Sequence, residues 1–166
     1  MEYREIEKKW QDIWEKEKRF EVPNHCEGKE NAYVLIEFPY PSGKGLHTGH
    51  VRSYSAMDAV ARKKRLQGYN VLFPMGCDAF GLEAERTAIK EKKPPQEIVA
   101  RNIATFKEQL KEVGLSIDWS REISTCDPSY YKWTQWLFLQ FFKHGLAEKR
   151  YANVNWCPNC GVLANE

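Results

Sequence analysis

Apolar residues in the first forty positions follow a helical pattern and then a strand-like one. Residues 3–19 have apolar side chains at i, i+4, i+7 and i+8, which are Ile6, Trp10, Ile13 and Trp14. This spacing predicts an amphipathic helix. Residues 33–38 form a short apolar run rich in strand-favouring residues, and the run predicts a buried strand.

The next forty residues predict a turn, a helix and a second strand. Residues 39–45 are rich in Pro and Gly and predict the turn. A helical pattern follows from about Gly49 to Leu66, and Gly68 is placed to end it in the left-handed conformation. Residues 70–73 predict the second strand. Strand, helix and strand form a βαβ unit, which predicts a parallel sheet and an α/β fold.

The second half of the chain is mainly helical. One apolar repeat at i, i+4, i+7, i+11 and i+14 comprises Val99, Ile103, Phe106, Leu110 and Val113, and Gly114 ends it. Asp127 followed by Pro128 predicts the start of another helix, rich in aromatic residues, that runs to about His144. Residues 153–166 have strand and turn character around Cys157 and Cys160.

Composition narrows the class of protein. A chain of 166 residues is long enough for one domain. Its net charge of +2 does not show the excess of basic residues that is typical of nucleic-acid-binding domains. The first residues are charged and no apolar run is long enough to span a membrane, so we expect a cytoplasmic protein. Five cysteines, of which only Cys157 and Cys160 are closely spaced, argue against a secreted disulfide framework.

Two histidines flank the predicted start of the helix in the βαβ unit. His47 and His50 are three residues apart, so they share a helix face, and Gly49 lets a ligand approach the backbone. The N–H groups at a helix N-terminus suit a polyphosphate, and imidazoles can donate to phosphate oxygens. The alternative is a pair of surface histidines in a glycine-rich loop. Their place directly after the first strand favours a nucleotide site.

Several motifs occur in order along the chain. The H-x-G-H pattern at 47–50 follows F-P-Y-P-S-G at 38–43, and M-G-C-D-A-F-G-L occupies 75–82. Further matches are D-W at 118–119, Y-Y-K-W-T-Q-W at 130–136 and N-W-C-P at 155–158. With these motifs the chain resembles the leucyl-tRNA synthetases, which are class I aminoacyl-tRNA synthetases. The motif at 38–43 and the one at 75–82 count against the isoleucine and valine enzymes.

The resemblance implies an architecture. Residues 1–152 would be the N-terminal half of a Rossmann-like, parallel-sheet catalytic domain with additional helices. Residues 153–166 would begin a partial zinc-ribbon-like segment that leads to an editing domain absent from the chain. The Lys-Met-Ser-Lys-Ser loop of the family is also absent. We therefore expect an incomplete fragment with little activity alone, whose aromatic helix would favour self-association.

The resemblance also implies an activity. The parent enzyme would use ATP with Mg²⁺ to activate leucine and would pass the leucyl group to tRNA(Leu). His47, Gly49 and His50 would bind ATP, and the two histidines would act in catalysis. Two other hypotheses stay open at this stage: an isoleucyl- or valyl-type synthetase fragment, and a non-catalytic nucleotide-binding module.

Three more residues are implied in amino-acid binding. Asp78 would bind the ammonium group of leucine, with Phe38 and Tyr40 shaping the pocket beside it. A carboxylate in a largely apolar pocket is a suitable anchor for a zwitterion. The alternative for Asp78 is that it caps the helix that starts near Phe80.

The cysteine pair predicts a metal half-site, and two residues depart from the family pattern. Cys157 and Cys160 form half of a Zn²⁺ site, because structural zinc needs four ligands and no second pair is present; two free thiols are the alternative. Cys77 stands where the family usually has tryptophan, and Glu83 stands where it usually has proline. Both changes are expected to loosen the wall of the pocket.

Overall fold

A computed structural model describes residues 2–41, 45–159 and 161–162. The chain forms two compact units, Met1–Thr125 and Cys126–Glu166, and each is described by itself. Within its described residues the first contains four helices and four strands: α1 (Tyr3–Lys16), β1 (Asn31–Tyr33), α2 (Thr48–Leu66), β2 (Asn70–Leu72), β3 (Pro74–Cys77), α3 (Leu82–Glu91), α4 (Pro95–Glu112) and β4 (Asp118–Ser124). The proposed division between residues 152 and 153 stays a prediction.

The predicted βαβ unit is present and the α/β fold class is confirmed. Strand β1 pairs with β2 in parallel, Asn31 opposite Asn70, and α2 connects them. Helix α2 ends where expected, because Gly68 has a φ of +90°.

The extent and burial of the first strand were predicted wrongly. Regular pairing covers only Asn31–Tyr33, with one further bond of 2.9 Å from the Val34 N–H to the Leu72 carbonyl. Val34 and Ile36 are buried, but Leu35 between them is 53% exposed. The partner β2 is three residues long, so residues 35–38 continue beyond the pairing and pack only one face.

A second parallel pair, β3 and β4, was not predicted. Gly76 lies opposite Ile123 and Cys77 opposite Ser124. The residues of β3 include Pro and Gly, and β4 is largely polar, so neither segment shows a strand pattern in the sequence. The pair places the residues that follow β3 and β4 at one edge of the sheet, because the strands are parallel.

The core of this unit lies between the strands and helices α2 and α4. Its buried members include Val34, Ile36, Tyr54, Ala61, Val71, Phe73, Met75, Leu110, Leu115 and Ile117. The stripe predicted for α4 is largely confirmed, since Val99, Phe106 and Leu110 are buried, whereas Val113 is 42% exposed. Gly114, with a φ of +77°, follows the end of α4.

The second unit begins with helix α5 (Pro128–Lys143), as predicted. Asp127 caps it by accepting a 2.7 Å bond from the Ser129 N–H, and bonding to Ser129 lowers the pKa of Asp127. The antiparallel strands β5 (Trp156–Cys157) and β6 (Gly161–Val162) confirm the predicted strand and turn character. In the parts of both units that the structure describes, no helix is long and apolar enough to cross a membrane.

Candidate functional site

His47 and His50 form one stacked pair at the start of α2. His47 is the N-cap residue, with extended backbone, and its N–H donates to Nδ1 of His50 over 3.2 Å. The two ring centroids are 3.7 Å apart and the rings are inclined by 23°. The expectation that these histidines share a face is therefore confirmed.

Gly49 allows this arrangement. A Cβ at this position would lie 2.9 Å from both Cε1 and Nδ1 of His47, so any side chain here would displace the His47 ring. The first turn of the 19-residue helix also contains no acidic residue. The His50 N–H of this turn donates to the His47 carbonyl over 3.0 Å. The positive end of the helix dipole and the first N–H groups of α2 face no competing carboxylate of that turn, which suits an anion.

The surroundings of His50 favour the neutral form of its imidazole. Its ring is 5.6 Å from that of Tyr54 and 6.2 Å from that of Phe106, both of which are buried. Burial lowers the pKa of His50, and the adjacent His47 lowers it further. Because Nδ1 accepts the His47 N–H, the neutral ring has its proton on Nε2 and can donate from there. Burial likewise raises the pKa of Tyr54 to about 12.

Asp78 lies at the carboxyl end of β3, where its backbone and side chain are both bonded. Its N–H donates to the Pro39 carbonyl over 3.1 Å. Oδ1 accepts a 3.2 Å bond from the hydroxyl of Thr125, which follows β4, and that hydroxyl accepts a 2.8 Å bond from the Ala79 N–H. The alternative of a helix cap is wrong, since Gly81 occupies the N-cap of α3 and no side chain bonds there.

Phe38 and Tyr40 pack against the backbone on the two sides of Asp78. A Cβ at Gly76 would be 2.7 Å from Cε2 of Phe38, and one at Gly81 would be 1.3 Å from Oη of Tyr40. Only glycine fits at either position while the two rings stay in place. The structure thus brings these two predicted residues together with the exposed Asp78 carboxylate.

Helix α4 contributes two polar contacts that the sequence did not indicate. Asn102 Nδ2 donates to the Pro41 carbonyl over 2.7 Å, and Gln109 Oε1 accepts the Leu46 N–H over 2.8 Å. Both side chains lie beside the buried Phe106. Both amides lie within or beside the apolar stripe of the helix, and this position could have identified them in the sequence. A buried polar group requires a hydrogen-bond partner. Thr125 gave no comparable signal.

The cysteine pair lies only partly within the described residues. Cys157 is half-buried in β5, and Cys160 lies outside the described residues. Within residues 2–41, 45–159 and 161–162, no three His, Cys, Asp or Glu side chains are grouped as the ligands of one ion. Mg²⁺ and Zn²⁺ both stay predictions. Cys77 is buried at the end of β3, and the side chain of Glu83 is outside the described part.

Comparison with known proteins identifies the family. The family model described as tRNA synthetases class I (I, L, M and V) matches residues 9–165. The chain belongs to the class I tRNA synthetases. This synthetase chain is 58% identical to the Leucine–tRNA ligase of Alkaliphilus oremlandii over 164 residues and 59% identical to that of Thermotoga maritima over 168 residues. These matches cover 98% and 99% of the chain but 20% of each relative, so the chain spans a fifth of their length.

Solved structures agree with the family and with its fold. The ternary complex of LeuRS, tRNA and LeuAMS from Agrobacterium radiobacter K84 matches 98% of the synthetase chain and 21% of its own, with a TM-score of 0.85 and 38% identity. Mycobacterium tuberculosis methionyl-tRNA synthetase in complex with methionyl-adenylate matches 70% of the chain and 22% of its own, with a TM-score of 0.63 and 31% identity. The neighbours confirm the Rossmann-like α/β class expected from the sequence.

Proposed function

We propose that this chain supplies the ATP-phosphate site and the amino-acid anchor of a leucine–tRNA ligase. The observation that supports this most directly is the hydrogen bond between the Asp78 N–H and the Pro39 carbonyl. It joins a candidate ammonium anchor to the aromatic segment that precedes the histidine pair. Identities of 58–59% to leucine–tRNA ligases favour leucine over other amino acids.

In the proposed first step, a carboxylate oxygen of leucine attacks the α-phosphorus of ATP. The bond from this phosphorus to the oxygen bridging to the β-phosphate breaks, pyrophosphate leaves with the electron pair, and leucyl-adenylate forms. His47, His50 and the N–H groups of Thr48 and Gly49 at the start of α2 would donate to phosphate oxygens as charge moves toward the leaving group. The neutral state of His50 fits this use, because its Nε2–H is a donor without a proton transfer.

The Asp78 carboxylate would hold the leucine ammonium group, with Phe38 and Tyr40 close by. Thr125 fixes one carboxylate oxygen, which leaves the other for the ligand. In the second step a hydroxyl of the terminal ribose of tRNA(Leu) would attack the carbonyl of the adenylate and release AMP. ATP, leucine and tRNA(Leu) are thus the proposed substrates, and Mg²⁺ bound with ATP would neutralise phosphate charge.

The experiment requires the remaining parts of a synthetase. We define the exchange chimera as the Thermotoga maritima Leucine–tRNA ligase with its matching segment replaced by this chain. Amino-acid-dependent ATP–pyrophosphate exchange is then measured with leucine, isoleucine, valine and methionine. We expect leucine to give the highest kcat/KM. A higher value with isoleucine or valine would support the alternative synthetases, and exchange with none of the four would support a non-catalytic module.

A further inference from the structure

Helix α4 presents one row of side chains to the candidate site. Asn102, Phe106 and Gln109 are at i, i+4 and i+7, so they lie on one face of the helix. Asn102 bonds Pro41, Phe106 contacts His50, and Gln109 bonds Leu46. The same helix therefore holds the segment after β1 and the segment that enters α2.

The Asn102 contact is a buried one. Asn102 is 6% exposed, and its amide bonds the carbonyl of Pro41, whose side chain is fully buried. A carbonyl in this environment needs a partner, because water cannot reach it freely. Asn102 thus fixes the backbone that continues from Phe38 and Tyr40.

The Gln109 contact fits around the residues just before His47. Its Oε1 accepts the Leu46 N–H, and a Cβ at Gly45 would be 2.7 Å from Nε2 and 2.9 Å from Oε1 of the same amide. Gly45 therefore lets the Gln109 amide lie against the backbone. The amide contact is thus made by Leu46, the residue immediately before the N-cap histidine.

Phe106 lies between these two amides and meets His50 edge-on. It is 2% exposed, with ring centroids 6.2 Å apart and planes at 63°. A rigid aromatic ring at this place restricts the orientation of the His50 ring. Because the His47 ring stacks on His50, its orientation is restricted as well.

We propose that Asn102 and Gln109 are positioning residues. They hold the histidine pair at a fixed position relative to Asp78, the proposed amino-acid anchor. Neither is expected to touch a substrate. The inference rests on the proposed function, because the relative position of the histidine pair and Asp78 affects the rate only if both act in one reaction. A displacement of about 1 Å between reacting groups can lower a rate by roughly 10²-fold, so even a small shift of the histidine pair should be measurable as a lower rate.

The test uses Gln109→Leu, which keeps the volume but removes the acceptor, and Gln109→Glu, which keeps an acceptor oxygen. Glu108→Ala is the matched control, since that side chain is exposed on the same helix. In the exchange chimera we expect Gln109→Leu to lower kcat by about 10²-fold with the KM for leucine unchanged. Glu108→Ala should match the parent.

Amide hydrogen exchange on the 166-residue chain provides the structural readout. Gln109→Leu should deprotect the Leu46 amide, and Gln109→Glu should restore its protection. The Val34 amide, which donates to Leu72, should stay protected in both variants and reports on the sheet. Asn102→Ala provides a second variant, expected to lower kcat in the same way without deprotecting Val34.

The outcomes separate the two proposals. A deprotected Leu46 amide with an unchanged kcat would overturn the positioning inference. Loss of Val34 protection in both Gln109→Leu and Asn102→Ala would also overturn it, because the side chains would then only stabilise the fold. An exchange chimera that is inactive with every amino acid would instead contradict the proposed function, while the Leu46 amide would still report whether Gln109 fixes the backbone before His47.

Discussion

The hydroxyl of Thr125 donates to Oδ1 of Asp78 over 3.2 Å and accepts the Ala79 N–H over 2.8 Å. The Thr125 N–H in turn donates to the Cys77 carbonyl over 3.0 Å. These bonds connect the ends of the parallel strands β3 and β4. They give the carboxylate of Asp78 a fixed orientation although the side chain is exposed.

Removal of the Thr125 hydroxyl should weaken amino-acid binding selectively. Thr125→Val keeps the shape of the side chain but loses the bond from Ala79 and the bond to Asp78. The bond to Asp78 typically contributes about 1 kcal/mol. We expect the KM for leucine in the exchange chimera to rise roughly fivefold, with the KM for ATP unchanged. Thr125→Ser keeps the hydroxyl and is the control. An unchanged leucine KM in Thr125→Val would show that Asp78 needs no such support.

Substitution of either histidine should affect the chemical step. Loss of one donor to a transition state costs about 10²- to 10³-fold, so His47→Ala and His50→Ala should each lower exchange by that factor. Leucine affinity should change little. His50→Asn separates the two functions of this side chain, because an amide oxygen can still accept the His47 N–H. Near-normal exchange rates in both alanine variants would contradict an ATP-binding function for the pair.

The sequence predicted the elements made from local patterns but not the contacts between them. The helices and the βαβ unit follow from patterns among neighbouring residues and are present, although the first strand is shorter than predicted. Residues 42–44 of the predicted turn lie outside the described residues. Strands β3 and β4 were missed because their pairing, and not their composition, makes them strands. Asn102, Gln109 and Thr125 reach the site over separations of 61, 63 and 47 residues.

The basic run at 62–65 shows the same limit. Residues 63–65 lie in the last turn of α2, where cations complement the helix dipole. In the structure Arg62 bonds Asp58 and the Gly114 carbonyl, and Arg65 bonds Ser116. Asp58 also accepts the Ser116 N–H over 2.7 Å. These residues join α2 to the segment before β4, which no periodicity within one helix could reveal.

The stability of the fold should depend on pH through His50. Its folded pKa is lowered, so between that value and the ordinary value of about 6.5 the unfolded chain binds more protons. Stability should therefore fall as pH falls through this window. Urea unfolding of the 166-residue chain at pH 7.5 and 5.5 measures the effect, and NMR titration of the ring gives the pKa. In His50→Asn the dependence on pH should be smaller; an equal dependence would mean that other groups cause it.

The chain should hold zinc weakly. Cys157 and Cys160 provide two thiolates, and a closed structural site needs four ligands. After dialysis of the 166-residue chain, metal analysis should find less than one zinc per chain, and Cys157→Ser should abolish any residual binding. One tightly held zinc in a monomer would contradict the half-site prediction.

The 166-residue chain alone should bind ATP weakly and catalyse exchange poorly. The histidine pair and the start of α2 are present, so the phosphates have donors. The chain spans 20% of its relatives, and transition-state stabilisation depends on all donors being fixed at once, so the rate should be lower by orders of magnitude than that of the exchange chimera. Titration of the chain with ATP and exchange assays on the same sample test both statements. If the 166-residue chain catalysed ATP–pyrophosphate exchange as fast as the exchange chimera, the chain alone would form a complete site.

The chain should also self-associate through α5. Four large aromatic side chains of this helix are more than half exposed, namely Trp133, Trp136, Phe138 and Phe142. Exposed apolar surface on several sides of one helix favours association, because burial removes it from water. Sedimentation velocity over a range of concentrations should show species larger than a monomer. Trp136→Lys with Phe138→Lys should shift the distribution to monomer, whereas Tyr151→Lys, which changes an exposed aromatic residue outside α5, should not. A strictly monomeric parent chain at all concentrations would contradict the prediction.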